Sequence, residues 1–124
     1  MPQSKFNTQP VPVANNHPAI WDLVVDDFKN DFKIESAEDF LYKEAVGLAL
    51  AIKGRILGSP ELNDILTSAL EDVKSRNEFG IKKYGIPLQP FNGRNALQDA
   101  YEEVLDLVAY VRQVKYERDN ASNS

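Results

Sequence analysis

The sequence of residues 36–58 is SAEDFLYKEAVGLALAIKGRILG, and this stretch decides the fold class. Ser36 is a good N-cap residue with acidic residues after it, and Gly58 is a typical helix stop. The middle of the stretch, residues 45–52, is apolar on almost all sides, which is typical of a helix buried against several neighbours. A domain of about 100 residues has difficulty covering such a helix alone. The stretch therefore predicts a long α-helix, here helix two, and self-association of the chain.

Two further segments follow the helical period. We expect helix one to begin near Pro18, with apolar residues recurring every three or four positions as far as Phe32. Helix three is expected to start with Ser59 as its cap and Pro60 in its first position. It is expected to end near Tyr84, where the following glycine can adopt a left-handed cap. The helical period predicts an inner, apolar face of Leu62, Ile65, Leu66, Ala69, Val73 and Gly80. It places Glu71, Ser75, Glu78 and Lys82 on the opposite, solvent-exposed face.

Helix four is expected from near Asn95 to about Arg118, after a loop over residues 85–94 that carries two prolines and an Asn-Gly turn signal. Because no stretch alternates strictly between apolar and polar residues for long, no strand is expected. The sequence predicts an all-α bundle of about four helices, which is expected to be oligomeric.

The two ends of the chain differ from this helical middle. Residues 1–16 hold three prolines among Gln, Asn, Ser and Thr, and residues 119–124 are mainly small and polar. Such compositions do not pack a core. We therefore predict a flexible N-terminal tail over 1–16, a helical domain over 17–118 and a flexible C-terminal tail over 119–124.

Composition and charge exclude several classes of function. The 124 residues carry 14 basic and 19 acidic side chains, a formal net charge of −5, which disfavours binding to duplex nucleic acid or anionic membranes. With no Cys and one His, disulfides, thiolate metal sites and multi-His metal sites are excluded. No secretory signal or membrane-length apolar stretch is visible, so a cytoplasmic location is expected.

Acidic residues cluster in the first half of helix four, at Asp99, Glu102, Glu103 and Asp106. At about 100° per residue, Asp99, Glu103 and Asp106 share one face with Tyr110. A solvent-exposed charged face is one interpretation. The other is a Mg²⁺ site, because Mg²⁺ prefers oxygen ligands and is commonly shared between protein carboxylates and substrate phosphates. Glu103 and Asp106 form an ExxD pair one helical turn apart.

The string DAYEEVLDLVAYVRQ, residues 99–113, resembles the second motif of the all-α, MazG-like nucleotide pyrophosphohydrolases. The preceding FGIKKYGIPLQPFNGRNALQDAYEE, residues 79–103, is similar to small phage and bacterial proteins grouped with that superfamily. The resemblance covers about residues 68–118. It implies a helical bundle, usually a dimer or tetramer, that uses Mg²⁺ to cleave a nucleoside triphosphate to the monophosphate and pyrophosphate. It assigns Glu103 and Asp106 to the metal, with Asp99 and Glu102 as supporting ligands or water-orienting groups.

The sequence departs from that family at the first motif, an ExxE on the preceding helix. At this place the chain offers only Ser75 and Glu78, and its one strict ExxE, Glu35–Glu38, lies far upstream. Glu38 and Glu44 remain alternative ligands if helix two faces the acidic helix. Whether the chain is an enzyme is therefore left open. A nucleotide-binding protein without hydrolysis on the same scaffold is the alternative, and a helical interaction module without a small ligand is a third hypothesis.

Basic and aromatic residues around the loop supply candidate substrate contacts. Lys82, Lys83 and Arg94 flank the loop before the acidic helix and are candidates to hold phosphates. Lys82 and Lys83 also lie near a helix C-terminus, where cations are favourable for a purely structural reason. Tyr110 lies with the acidic residues and is the best candidate to stack on a base. The expected partner is a nucleotide.

Overall fold

The computed structural model describes residues 9–30, 33–58 and 61–121, and these ranges contain no strand. The four α-helices are α1 (Ile20–Lys29), α2 (Ala37–Leu57), α3 (Leu62–Tyr84) and α4 (Ala96–Asp119). The predicted all-α fold class with four helices is therefore confirmed, whereas the oligomeric state stays a prediction. Among the described residues, no helix combines the length and apolarity needed to cross a membrane.

Helix α2 has the bounds that its sequence predicts. The Ser36 hydroxyl accepts a hydrogen bond from the Asp39 N–H at 3.1 Å, which satisfies one of the unpaired donors of the first turn. At the other end Gly58 is left-handed, with φ of 68°, and its N–H donates to the Gly54 carbonyl at 2.9 Å. Both ends are therefore fixed by local chemistry.

Helix α1 begins at Ile20, two residues after the predicted start at Pro18. Ala19 is extended, with φ of −66° and ψ of 138°, and the Ile20 N–H donates to the Leu88 carbonyl at 2.7 Å. This bond uses one of the N–H groups that a helix start leaves unpaired, and it ties the start of α1 to the loop before α4. The helix ends at Lys29, because Asn30 is extended, with φ of −133° and ψ of 145°, so the predicted continuation of the helix beyond Lys29 is wrong. Phe32 itself lies outside the described residues.

Helix α3 begins at Leu62, and not at the predicted first position, Pro60. The N-cap residue is Glu61, whose side chain makes no capping bond and whose carbonyl accepts from the Ile65 N–H at 3.2 Å. Ser59, the predicted cap, and Pro60 themselves lie outside the described residues. The predicted end is confirmed, because Gly85 is left-handed with φ of 84° and its N–H bonds to the Ile81 carbonyl.

The chain divides into two compact units, so the predicted single domain over 17–118 spans parts of both. One unit covers residues 14–92 and holds α1, α2 and α3, in which α3 contacts both other helices. Lys53 on α2 pairs with Asp72 on α3 at 2.7 Å. Of the described residues, the other unit contains 9–13 and 93–121, and it holds α4. The flexibility predicted for the two tails stays a prediction.

Burial within the α1–α3 unit is shallow. The inner face predicted for α3 is confirmed at Ala69, which is 8% exposed, and at the half-buried Ile65, Leu66 and Val73. Leu62, assigned to the same face, is 60% exposed. No large side chain of the described residues is fully buried. The unit therefore leaves much of its apolar surface in contact with water, which opposes stability in a domain of this size.

Candidate functional site at the start of helix α4

The candidate site lies in the unit formed by α4 and the segment around Gln9. Asn95 caps the helix, because its Oδ1 accepts from the Gln98 N–H at 3.1 Å and its carbonyl accepts from the Asp99 N–H at 3.1 Å. The helix therefore starts as the sequence predicts. Its first half carries the acidic residues Asp99, Glu102, Glu103 and Asp106.

Asp99, a predicted metal ligand, and Arg94, a predicted phosphate contact, are brought together by the helix start. Arg94 Nε donates to Asp99 Oδ2 at 3.0 Å, and Arg94 Nη2 donates to Asp99 Oδ1 at 2.7 Å. This two-point geometry is the strongest that Arg forms with a carboxylate. In the described structure the two residues therefore bind each other.

A segment more than 80 residues earlier in the chain completes this contact. The Gln9 amide donates from Nε2 to Asp99 Oδ1 at 2.9 Å, and its Oε1 accepts from the Asn95 N–H. Arg94 Nη1 also donates to the Pro10 carbonyl at 2.9 Å. The Gln9 side chain thus binds the Asn95 N–H, which is one of the N–H groups that a helix start can otherwise offer to a phosphate. We refer to Gln9, Pro10, Arg94, Asn95 and Asp99 as the α4 cap cluster.

The α4 cap cluster shifts the titration of both charged groups. The hydrogen bonds from Arg94 hold the pKa of the Asp99 carboxyl below its ordinary value, although partial burial opposes this shift. The charge of Arg94 and the bond from Gln9 act in the same direction. The pKa of Arg94 is raised, mainly through its hydrogen bonds to Asp99. Arg94 and Gln9 therefore favour the charged form of Asp99.

The other acidic residues of α4 are more open to solvent. Glu103 and Asp106 are exposed and Glu102 is half-buried, while Tyr110 is 67% exposed. The ExxD pair is thus accessible to an ion or a ligand from solvent. Within residues 9–30, 33–58 and 61–121, no three acidic or His side chains are arranged to hold one metal ion. Further ligands for an ion on α4 would have to come from another helix or from the substrate.

The alternative acidic ligands lie in the other unit. Glu38 and Glu44 are exposed on α2. Glu35 precedes the N-cap Ser36 and donates its N–H to Asp39 Oδ2 at 2.9 Å. Glu35 is therefore outside the helix, so the strict ExxE at residues 35–38 does not form a pair of carboxylates on one helical face.

The first-motif position and the two candidate lysines lie on α3. Ser75, which stands where the motif has Glu, donates its hydroxyl to the Asp72 carbonyl at 2.8 Å. Lys82 and Lys83 are exposed in the last turn, where cations interact favourably with the helix dipole. Lys83 Nζ lies 5.3 Å from the centre of the Tyr84 ring, and this contact accounts for its position without a ligand.

Sequence reasoning missed Gln89, the one buried polar side chain among the described residues, at 8% exposure. Its Oε1 accepts from the Asn15 N–H at 3.1 Å, and its Nε2 donates to the carbonyls of Asn15 and His17, both at 2.7 Å. Asn15 Nδ2 in turn donates to the Pro90 carbonyl at 2.8 Å. The loop before α4 is thus bonded to the segment before α1. No local sequence signal marks this pairing, because its partners are over 70 residues apart.

A small pocket in the α1–α3 unit was also not predicted. It has a volume of about 150 Å³ and is lined by one acidic residue and five apolar or aromatic residues, namely Asp27, Phe28, Tyr42, Val46, Leu50 and Leu66. Tyr42 Oη donates to Asp27 Oδ2 at 2.8 Å, and burial together with this carboxylate raises the pKa of the Tyr42 hydroxyl. The polar atoms of the pocket thus bond to each other.

No family model matches the chain, and comparisons with curated proteins and with solved structures find no match either.

Proposed function

We propose that the chain is a Mg²⁺-dependent nucleoside triphosphate pyrophosphohydrolase, in which Glu103 and Asp106 hold the ion. The observation that carries the proposal is the exposed ExxD pair on α4, one helical turn apart. Carboxylate oxygens in this arrangement suit a hard cation that shares its remaining positions with phosphate oxygens. The resemblance of residues 99–113 to the second MazG-like motif supports the same assignment.

In the proposed reaction, water hydrolyses the bond between the α-phosphorus and the oxygen that bridges it to the β-phosphate. The water oxygen bonds to the α-phosphorus, the bridging bond breaks, and pyrophosphate leaves with the monophosphate as second product. When bound, Mg²⁺ neutralises phosphate charge and orients the reacting groups. In this proposal Glu102, which is half-buried beside the pair, accepts a proton from the attacking water or orients it.

Cationic and aromatic residues are assigned to the substrate in the same proposal. In the α4 unit, Arg94 contacts a phosphate and Tyr110 stacks on the base. Lys82 and Lys83 stay candidates for phosphate contact from the sequence alone. Arg94 is already bonded to Asp99, so in this proposal it reaches a phosphate through Nη1 or by exchanging the carboxylate for the phosphate. The ligand set then includes Asp99 only when Arg94 releases it.

A nucleotide-binding protein without hydrolysis is the second candidate. It is favoured by the first-motif position, where Ser75 replaces a carboxylate and bonds to its own helix backbone. A site with one acidic pair binds Mg²⁺-nucleotide through the phosphates but has fewer carboxylates to activate water.

Two measurements on the full chain separate these candidates. The first is the melting temperature with and without Mg²⁺ and each of a panel of ribo- and deoxyribonucleoside triphosphates. The second is pyrophosphate release from the same panel. Glu103→Gln and Asp106→Asn keep side-chain size while removing a charged ligand, and Glu71→Gln on α3 is the matched control, since Glu71 is an exposed acid paired only loosely with Lys74 at 3.8 Å.

For the hydrolase, we expect Mg²⁺-dependent pyrophosphate release that Glu103→Gln and Asp106→Asn reduce by at least about 100-fold and that Glu71→Gln leaves unchanged. For the binder, we expect Mg²⁺-nucleotide stabilisation that the same two variants abolish, with no pyrophosphate released. If the wild type and both variants respond identically to Mg²⁺ and nucleotide, α4 carries no metal site and both candidates fail.

A further inference from the structure

Helix α2 carries apolar residues on two faces, and one of them, the contacting face, lines the pocket shared with α3. The contacting face includes Tyr42, Val46 and Leu50, which are half-buried and line the pocket shared with Leu66 of α3. Lys53, one turn further along this face, forms the ion pair with Asp72. This face therefore carries contacts of α2 with the rest of its unit.

The second face consists of Leu41, Ala45, Leu48, Ile52 and Ile56, which we call the α2 stripe. These residues recur every three or four positions and lie about 110° around the helix from the contacting face. Leu41 is 56% exposed, Leu48 45% and Ile56 72%, and Ala45 is also exposed, whereas Ile52 is half-buried. The stripe contains no polar residue and extends for about 23 Å along the helix. A continuous apolar strip of this length is typical of an interface.

Charged residues at the two ends of the α2 stripe have opposite signs. Glu38 lies on the stripe's face one turn before Leu41, and Arg55 lies at its edge near the other end. Both are exposed. A second α2 lying parallel to the first would set Glu38 beside Glu38 and Arg55 beside Arg55. An antiparallel second α2 instead sets each Glu38 beside an Arg55 and also opposes the two helix dipoles.

We propose that a second copy of the chain covers the α2 stripe, in an antiparallel α2–α2 contact about a two-fold axis. The charges and the side-chain sizes select the same register. When Glu38 lies opposite Arg55 of the second copy, Leu41 lies opposite Ile52 and the small Ala45 lies opposite Leu48. Small against large is the arrangement that lets helices approach closely and pack without voids. The contact is isologous, so it closes as a dimer.

This inference does not depend on the proposed nucleotide chemistry, because it uses no residue of α4. The apolar composition of α2 alone predicts only that the helix associates. The α2 stripe and its charged ends also indicate which face associates, in which direction and in which register. The α2–α2 contact supplies cover for a unit in which no large described side chain is fully buried.

The first test is the mass of the full chain by light scattering and sedimentation between about 1 and 100 μM. We expect an assembly built on dimers of the 14.0 kDa chain. Leu48→Glu places a charge in the middle of the stripe and is expected to raise the dissociation constant of the α2–α2 contact at least about 30-fold. Phe40→Glu is the matched control, since Phe40 is 54% exposed and lies about 120° around the same helix from the centre of the stripe. It is expected to change that constant less than threefold.

The second test measures the direction of the helices by disulfide formation, which the chain allows because it has no Cys. Bridged residues need Cα atoms within about 7 Å. In the antiparallel register, Leu41→Cys and Ile52→Cys chains do not cross-link alone but form a mixed disulfide when combined. In a parallel pair each variant cross-links with itself, and that result would overturn the proposal. Phe40→Cys is expected to form no disulfide.

The third test changes Glu38 and Arg55 at the two ends of the α2 stripe. Because both side chains are exposed, substitutions there are least expected to disturb the fold. Arg55→Glu should weaken the contact about fivefold by setting two acids together, and adding Glu38→Lys to the same chain should restore it. Circular dichroism checks that each variant stays helical. A wild-type chain that is monomeric up to 100 μM, or an assembly that Leu48→Glu and Phe40→Glu affect equally, would refute the α2–α2 contact.

Discussion

Arg94 and Asp99 form a two-point ion pair that spans the start of α4, with Nε to Oδ2 at 3.0 Å and Nη2 to Oδ1 at 2.7 Å. One residue precedes the cap Asn95 and the other lies in the first turn. The pair therefore fixes how the loop enters the helix. Gln9 adds a bond to the same carboxylate, so a distant segment shares the contact.

Replacing Arg94 by Gln should raise the pKa of Asp99 towards its ordinary value of 3.8, because the guanidinium bonds are the main cause of its lowering. The measurement is the carboxyl carbon shift of Asp99 followed by NMR across the acidic range. Arg112→Gln, an exposed change later on α4, is the control and should leave that titration unchanged. An Asp99 pKa that is the same in all three chains would show that the pair does not form in solution.

The same pair makes stability depend on pH in a definite direction. Because the pKa of Asp99 is lower in the folded chain than in the unfolded one, its contribution is complete above about pH 4 and is lost as the pH falls through the folded value. Both side chains are partly exposed, at 29% and 38%, so the contribution is about 1 kcal/mol or less. The free energies of urea unfolding of the wild type and Arg94→Gln should differ at pH 7 and converge as the pH falls through the folded pKa of Asp99.

Gln89→Ala should destabilise the α1–α3 unit by about 2–3 kcal/mol. The substitution leaves the N–H and carbonyl of Asn15 and the carbonyl of His17, which are partly buried, without their hydrogen-bond partner. Gln113→Ala removes an exposed amide bonded to Glu117 on α4 and should cost less than about 0.5 kcal/mol. Urea unfolding at pH 7 compares the two. Equal costs would mean that the Asn15–Gln89 bonds are dispensable.

Two glycines of α2 should respond oppositely to alanine. Gly58 has φ of 68°, so Gly58→Ala should destabilise by about 1 kcal/mol. Gly47 lies inside the helix with no atom within 4 Å of an added Cβ, so Gly47→Ala should stabilise by about 0.5–1 kcal/mol. The melting temperature of each variant, compared with that of the wild type, shows whether the substitution stabilises or destabilises the chain. A gain from Gly58→Ala would place the end of α2 elsewhere.

Removing the cap of α2 by Ser36→Ala should cost about 1 kcal/mol, because the Asp39 N–H loses its acceptor. Ser36→Asn supplies an equivalent oxygen and should be nearly neutral. Circular dichroism during thermal unfolding measures both variants. A Ser36→Asn chain as unstable as Ser36→Ala would indicate that the hydroxyl acts through another contact.

Much of the fold follows from local patterns in the sequence. The start of α2 at Ser36, the end of α3 at Gly85 and the start of α4 at Asn95 were all predicted, because capping uses atoms within four residues of the helix end. The exposed face of α3 was predicted for a similar reason, since the helical period alone assigns it. The composition likewise predicted the absence of Cys-based and multi-His sites.

Tertiary structure alone decided which groups meet. The Ile20 N–H at the start of α1 bonds to the Leu88 carbonyl, and the Asp99 carboxylate, which Arg94 binds, also accepts a bond from Gln9, which is 90 residues away. Local propensity holds no information on such pairs, because their free energy arises only after the intervening chain has folded. The candidate site shows the same division. The sequence determined that carboxylates share one face of α4, whereas only the folded chain decided that Asp99 is bonded to Arg94 while Glu103 and Asp106 face solvent.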